Sequence, residues 1–324
     1  MNATTHTALR YSRPLARDPD DARETRHVRA AVFAKSESEL FGLNKKKSPD
    51  LSDIERRRFE KDFLARRFQL APNKIVFVKQ VHGTDAVQIT TPPAKHNQAD
   101  PGTEAGIYFS AGDALFTDVP GVLLAIRTAD CLPLFFDLSL CDATANSTDG
   151  TPQTKPNRTV VGVIHAGWRG LDAGVISRTL IQALAYLYRP LNDPASNDAA
   201  REVQPRAARL RATFFFGPCI GPEAYEVDAD VADRFTEKRA IARREIDPPG
   251  ARKYLLDLPV NARIEIDRTL ESHAANFALN LAQLVAGCEF IRDFEGCTFQ
   301  EPDRFFSHRR GDVGRNLNTI MIEE

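Results

Sequence analysis

The chain has 324 residues, with 43 Lys and Arg against 44 Asp and Glu and a formal net charge of −1. That length holds one large domain or two ordinary ones, and 42% hydrophobic with 27% charged residues is globular composition, not that of a disordered or fibrous chain. Balanced charge gives no overall attraction to nucleic acid or an anionic membrane, and seven His with five Cys are too few for a metal store, a zinc-finger array or an oxidase with several copper centres.

The first 28 residues are polar and mixed in charge, and read as a flexible extension of a domain covering 29–324. They hold no apolar segment of a Sec signal, and no apolar run in the chain approaches the ~18 residues of a membrane span. Cys131, Cys141, Cys219, Cys288 and Cys297 are odd in number, widely spaced and without a CxxC pair, which fits a reducing compartment and a cytoplasmic protein.

In chain order, residues 53–69 place Ile54, Phe59, Phe63, Leu64 and Phe68 at helical spacing, an amphipathic surface helix with its Arg run on a solvated face. Short β-branched or aromatic runs at 74–81, 86–89, 121–128, 132–138, 159–164 and 212–217 read as strands. Residues 174–190 read as a helix ending at Pro190, and 263–274 as a second helix. The stretches 139–159 and 189–208, rich in Pro, Asn, Asp, Ser or Thr, read as surface insertions. Strands joined partly by hairpins and partly through helices define an α+β or mixed α/β domain.

No GxGxxG, Walker or GxSxG string supports a dinucleotide, P-loop or elbow-serine site. Three polar residues instead follow strands directly: His82 in QVHGTD, Cys131 in TADCLP and His165 in HAGWRG. Singly, such a Cys reads as inert and buried, and such a His as a hydrogen-bonded structural residue. Converging, they form a His₂Cys set, whose three ligands leave a fourth zinc position open for water or substrate. Arg169, between Gly167 and Gly170 at a strand-to-helix turn, reads either as an anion-binding arm or as a surface residue on a tight turn. Trp168 reads as a core anchor or a stacking face. Residues 297–316 bring Ser307, His308, Arg309, Arg310 and Arg315 together, as a charged loop before the apolar NTIMI strand or as a second cationic wall. Two Gly-Pro turns around Cys219 shape the backbone without identifying a reaction.

The ordered motifs QVHGTDAV, GDALFTDVPGVLLAIRTADCLPLFFDL, VGVIHAGWRGLDAGVI, FGPCIGPEAYEV and CTFQEPDRFFSHRR resemble the YfiH-like laccase-domain family from about residue 74 to the C-terminus. The resemblance implies a single α+β domain with mixed sheets sandwiched between helices. It implies zinc held by His82, Cys131 and His165, and phosphorolysis of adenosine, inosine, guanosine and methylthioadenosine, with adenosine deamination. Small-molecule nucleoside and phosphate are then the partners, with Arg169, Arg309 and Arg310 holding phosphate, and neither nucleic acid nor a membrane is expected. The family's N-terminal GG-x-S segment and following Asn-Arg pair are not matched, since the region reads FAKSESELFGLNKKKSPD and then DIERRRF. SHRR also stands where SYRR is usual, so His308 replaces a phenol and is a candidate fourth ligand.

Copper, the metal of the family's earlier polyphenol oxidase description, fits less well. None of the seven His forms an HxH pair, and the only Met residues available as a weak axial ligand are Met1 and Met321. Three alternatives remain: a peptidoglycan-precursor editing hydrolase at the same site, a metal-free hydrolase with Cys131 as nucleophile and His165 as base, and a non-catalytic binding protein. Asp130, next to Cys131, is expected to point away from the site, as neighbours on an extended chain do.

Overall fold

A computed structural model of the protein describes residues 9–14, 27–33, 53–90, 110–142, 156–189, 208–238, 241–243, 253–276, 288–291 and 296–324. In chain order, Leu9–Pro14 (β1) and His27–Phe33 (β2) precede the helix Asp53–Phe68 (α1). Short strands Ile75–Phe77 (β3), Ala86–Ile89 (β4), Ala114–Thr117 (β5) and Leu123–Thr128 (β6) lead into the long pair Leu132–Asp142 (β7) and Pro156–Ala166 (β8). Helices Trp168–Ala173 (α2) and Val175–Leu187 (α3) are followed by Ala208–Phe216 (β9), Glu226–Asp228 (β10) and the single turn Ala229–Ala232 (α4). Ile241–Arg243 (β11), Lys253–Leu256 (β12), Leu258–Asn276 (α5), Cys288–Ile291 (β13) and Asn316–Ile322 (β14) complete the chain.

The strands form a six-stranded sheet in the order β13-β9-β7-β8-β5-β4, a five-stranded sheet β1-β2-β14-β6-β3 and a small sheet β10-β12-β11. Both larger sheets are mixed. The β4–β5, β9–β13 and β3–β6 pairs are parallel, and the other pairs of these two sheets are antiparallel.

Side-chain alternation explains the layering. Along β7, Phe135 faces one side of the six-stranded sheet, and Leu134, Phe136 and Leu138 face the other; all four are fully buried. Phe135, Leu115, Val161, Val163 and Phe215 meet Val28, Ala30, Leu124, Ile126 and Ile320 between the two sheets. On the far side, Leu134, Phe136 and Phe214 pack against Ile176, Leu180 and Leu184 of α3 and Ile266 and Leu270 of α5. The outer face of the five-stranded sheet, with Phe33, Ile75, Phe77 and Leu317, is covered by Phe63 and Leu64 of α1. The order is helix, sheet, sheet, helix, which is the expected sandwich of mixed sheets between helices. Sheets buried on both faces need apolar residues at consecutive positions, hence runs such as LPLFFDL.

Several boundaries differ from the sequence reading. The helix expected over 174–190 is Val175–Leu187 (α3), and a short helix, α2, precedes it, ended by Gly174 at φ 84 in the left-handed region. The strand expected over 74–81 is only Ile75–Phe77, followed by a single bridge between Lys79 and Ala111. The ends of the stretch 139–159 are arms of the β7–β8 hairpin: Ser139 and Thr159 share a 2.9 Å hydroxyl hydrogen bond, and the Arg158 guanidinium donates to the carbonyls of Tyr186 and Leu187 at the end of α3. Polar composition marked a loop there, but cross-strand partners satisfy those groups. Residues 143–155 and 190–207 of the expected insertions lie outside the described residues. Within the expected N-terminal extension, Leu9–Pro14 pairs with β2 as the edge of the five-stranded sheet. Among the described residues, no helix is long and apolar enough to cross a membrane.

One glycine sets the spacing at the centre of the six-stranded sheet. A Cβ on Gly162 of β8 would sit 2.1 Å from the Phe136 ring on β7 and 2.7 Å from the Leu115 carbonyl on β5. Gly162→Ala is expected to destabilise the protein by ~1–3 kcal/mol, as overpacking of a close-packed core does. A urea titration should show this as a lower midpoint at unchanged slope.

Candidate metal centre

A fully buried carboxylate, Asp113, immediately before β5, organises the site. It accepts the backbone N–H groups of Val81 (3.2 Å), His82 (2.9 Å) and Gly83 (2.7 Å), fixing the turn after the Lys79 bridge. His82 lies in that turn with φ 60, a left-handed conformation costing a non-glycine residue about 1–3 kcal/mol unless its surroundings impose it. Asp113 also accepts Nδ1–H of His165 at 2.8 Å, and its backbone carbonyl accepts the His165 N–H at 2.7 Å. One carboxylate therefore places His82 through the backbone and His165 through its ring, leaving Nε2 of His165 as the ligating nitrogen.

Cys131 comes from the turn between β6 and β7. Asp130 before it has φ 86, and its carboxylate accepts Thr298 Oγ1 and the Arg309 N–H, both at 2.6 Å. Its carbonyl accepts the Ile220 N–H at 2.9 Å. Asp130 thus anchors the Cys131 turn to the 297–310 loop, and the left-handed turn, not extended-strand alternation, directs it there.

The ligand atoms of His82, Cys131 and His165 all lie within 4.8 Å of one another, and the two rings meet edge to face with centroids 4.8 Å apart. Among the described residues this is the one group of three or more side chains able to hold a metal. Gly167 leaves room for the sulfur, since a Cβ there would stand 2.9 Å from Cys131 Sγ. Burial raises the Cys131 thiol, but hydrogen bonds to His165 and His82 outweigh it and bring the thiol down to about 6. Burial disfavours charged His165, yet the bonds to Asp113 and Cys131 prevail and raise it to about 9. Burial likewise opposes the charge of Asp113, and the His165, Gly83 and His82 hydrogen bonds hold its carboxyl below the usual range. Both shifts act in the same direction, favouring a thiolate beside an imidazolium in the metal-free cluster. Two imidazoles, a thiolate already formed and a carboxylate behind one ring are donors suited to a soft or borderline divalent ion, whose binding releases the His165 proton.

The cluster opens into a cavity of about 620 Å³, lined by His82, Cys131, His165 and His308 together with Lys79, Arg56, Arg57, Arg127 and Arg315. Arg127 is backed by Glu60 of α1 at 2.9 Å, and the Gln80 amide exchanges two 2.9 Å hydrogen bonds with the Arg127 backbone, tying this wall to β6. Arg56 and Arg57 stand near the start of α1, in the run expected to be a solvated face. The covering helix brings them over the sheet edge where His82 emerges.

The expected phosphate arms lie elsewhere. Arg169 is exposed, with its guanidinium stacked 4.7 Å from the Trp168 ring. Arg309 donates to the Glu226 carbonyl at 2.8 Å and lies 5.5 Å over Tyr225. Arg310 uses both terminal nitrogens as an internal clamp, donating to the carbonyls of Thr298, Phe299 and Phe305 and to the Asp312 carboxylate. Both terminal nitrogens of Arg310, a residue expected to hold phosphate, are thus engaged in shaping its own loop. None of the three lines the cavity. His308 does, but it stands outside the three-residue ligand group.

The family model for multi-copper polyphenol oxidoreductase laccase matches residues 38–148 and 152–323, so the chain belongs to this YfiH-like laccase-domain family. It is 30% identical over 252 residues to the purine nucleoside phosphorylase YfiH of Shigella flexneri, covering 78% of this chain and 75% of that protein. It is 28% identical over 309 residues to a purine nucleoside phosphorylase of Pseudomonas aeruginosa, covering 92% and 94%. The solved structure of YlmD from Geobacillus stearothermophilus superposes with a TM-score of 0.56 at 23% identity, covering 96% of this chain and all of that one, and it shares the fold.

Two outcomes test the centre. Asp113→Asn is expected to weaken metal binding about 10–100-fold, the usual effect of losing the carboxylate behind a ligating histidine, as read by competition with a chromogenic chelator. In metal-free protein, Cys131 should react with iodoacetamide with a pH midpoint near about 6, where an ordinary thiol gives about 8.5. A midpoint above 8 would contradict the thiolate–imidazolium pair.

Proposed function

We propose that the protein is a zinc-dependent purine nucleoside phosphorylase that cleaves adenosine, inosine, guanosine or methylthioadenosine with phosphate. The observation that carries this is the opening of the His82–Cys131–His165 group into a cavity walled by Arg and Lys side chains, with no carboxylate in its lining. The relatives named purine nucleoside phosphorylase support the same reading. Zinc is favoured over copper by the donor set. Among the described residues there is one such ligand group, and Met321 is buried in the packing of α1 on the outer sheet.

When bound, zinc supplies Lewis-acid stabilisation of developing negative charge beside the reacting atoms. The chain's residues do the rest. Asp113 keeps its proton bond to Nδ1 of His165 throughout, so the ring cannot turn or change tautomer. Lys79, Arg57 and Arg315 line the wall on which orthophosphate is held towards the anomeric carbon. Burial of His165 and half-burial of Cys131 limit water at the reacting end, so charge interactions there are strengthened. His308 lines the same cavity, and in this reading it meets the leaving base.

Incubation of zinc-loaded protein with inosine is expected to yield hypoxanthine and ribose 1-phosphate only when phosphate is present. Base release independent of phosphate, or none, contradicts the reading. Conversion of adenosine to inosine without phosphate would mark the deaminase activity implied by the family. Cys131→Ser should lower phosphorolysis by about a hundredfold or more, the scale at which losing one electrostatic stabiliser registers.

A further inference from the structure

Five cationic side chains line the cavity, and its lining contains no carboxylate. They arrive from separate parts of the chain: Arg56 and Arg57 from the first turns of α1, Lys79 from the bridge before His82, Arg127 from β6 and Arg315 from the loop before β14. Independent segments that deliver the same charge to one concavity form a built wall, unlike the solvated face of a single helix. The cost of that wall is visible: burial and the nearby Arg127 both push the Arg315 guanidinium below its ordinary range. Glu60 answers Arg127 from behind, and Arg315 is pinned along its Nη1 edge by the carbonyls of Val313 and Gly314. A guanidinium held at one edge still presents donors at the others, in a fork suited to phosphate oxygens.

Orthophosphate carries about two negative charges near neutral pH, and two or three of these side chains suffice to hold it. The cavity, about 620 Å³, is of a size that takes a nucleoside with further groups attached. We infer that this cavity binds a nucleoside carrying its own phosphate groups, with more than one phosphate position along the wall formed by Arg56, Arg57, Lys79, Arg127 and Arg315. The inference rests on the charge and size of the cavity and not on the reaction at the metal, and it extends the proposed substrate class from neutral nucleosides to nucleotides.

The test is calorimetric titration of the zinc-loaded full-length protein with adenosine, 5′-AMP and 5′-ADP at constant ionic strength, with zinc content checked afterwards. A single phosphate position predicts tighter binding from adenosine to 5′-AMP and nothing further. The inference predicts a second gain of about fivefold or more from 5′-AMP to 5′-ADP, since a charge-assisted hydrogen bond contributes about that much or more. The double variant Arg56→Gln/Arg57→Gln should abolish that second gain, and Arg66→Gln/Arg67→Gln, at the far end of the same helix, should keep it. Equal affinity for 5′-AMP and 5′-ADP overturns the inference, as does a gain that survives at Arg56 and Arg57 or vanishes equally in the control pair. If the first variant does not fold by circular dichroism, the wild-type salt dependence decides: it must be steeper for 5′-ADP than for 5′-AMP. Inosine phosphorolysis in the same preparation is read separately. Charge-graded binding without phosphorolysis removes the proposed activity and keeps this site, and phosphorolysis with a flat binding series does the reverse.

Discussion

The site depends on one buried carboxylate serving two purposes. Asp113 takes three backbone N–H groups from the turn that carries His82, and the ring N–H of His165. Buried donors and acceptors are costly when unmatched, so this carboxylate and its four donors stabilise one another only in a single arrangement. That arrangement holds His82 at a backbone angle it would not adopt alone. It also joins β5 and β8 of one sheet to the turn after β3 of the other, so the ligand geometry is inherited from the sandwich itself.

Electrostatics then follow by layers. The anionic Asp113 stands behind His165, the thiolate of Cys131 stands in front of it, and the cavity beyond is walled by cations. Negative charge close to the ligands favours a divalent ion, and positive charge farther out favours an anionic substrate group, so the two charges are separated by a few side chains. A second carboxylate, Asp130, fastens the Cys131 turn to the 297–310 loop through Thr298 and Arg309. Arg310 clamps that loop from within. The basic C-terminal motif therefore contributes rigidity near the site as well as Arg315, and α1 adds Arg56 and Arg57 to the cavity's charge.

The layers of the fold were legible in the sequence because sheets buried on both faces demand continuous apolar runs, as in LPLFFDL and TVVGVI. His82, Cys131 and His165 are legible because each sits in a short turn-forming motif at the end of an apolar run, although the structure places His82 beyond the end of β3 at Phe77 and His165 inside β8. Asp113 was not singled out, although it sits in GDALF directly before β5. Its role rests on contacts with residues 31 and 52 positions away, which no local pattern encodes. Arg56 and Arg57 were read as solvent-facing because helical spacing reports which face is apolar, not what the polar face overlooks. Arg310 shows the converse, since a guanidinium engaged by neighbouring carbonyls looks the same in sequence as one offered to phosphate.

The most direct test of the metal centre is X-ray absorption at the zinc edge on zinc-loaded protein with measured stoichiometry. One zinc per chain with one sulfur and two imidazole nitrogens in its coordination shell is the expected result. A shell without sulfur, or a metal retained in full by the Cys131→Ala variant, would contradict a centre built from His82, Cys131 and His165.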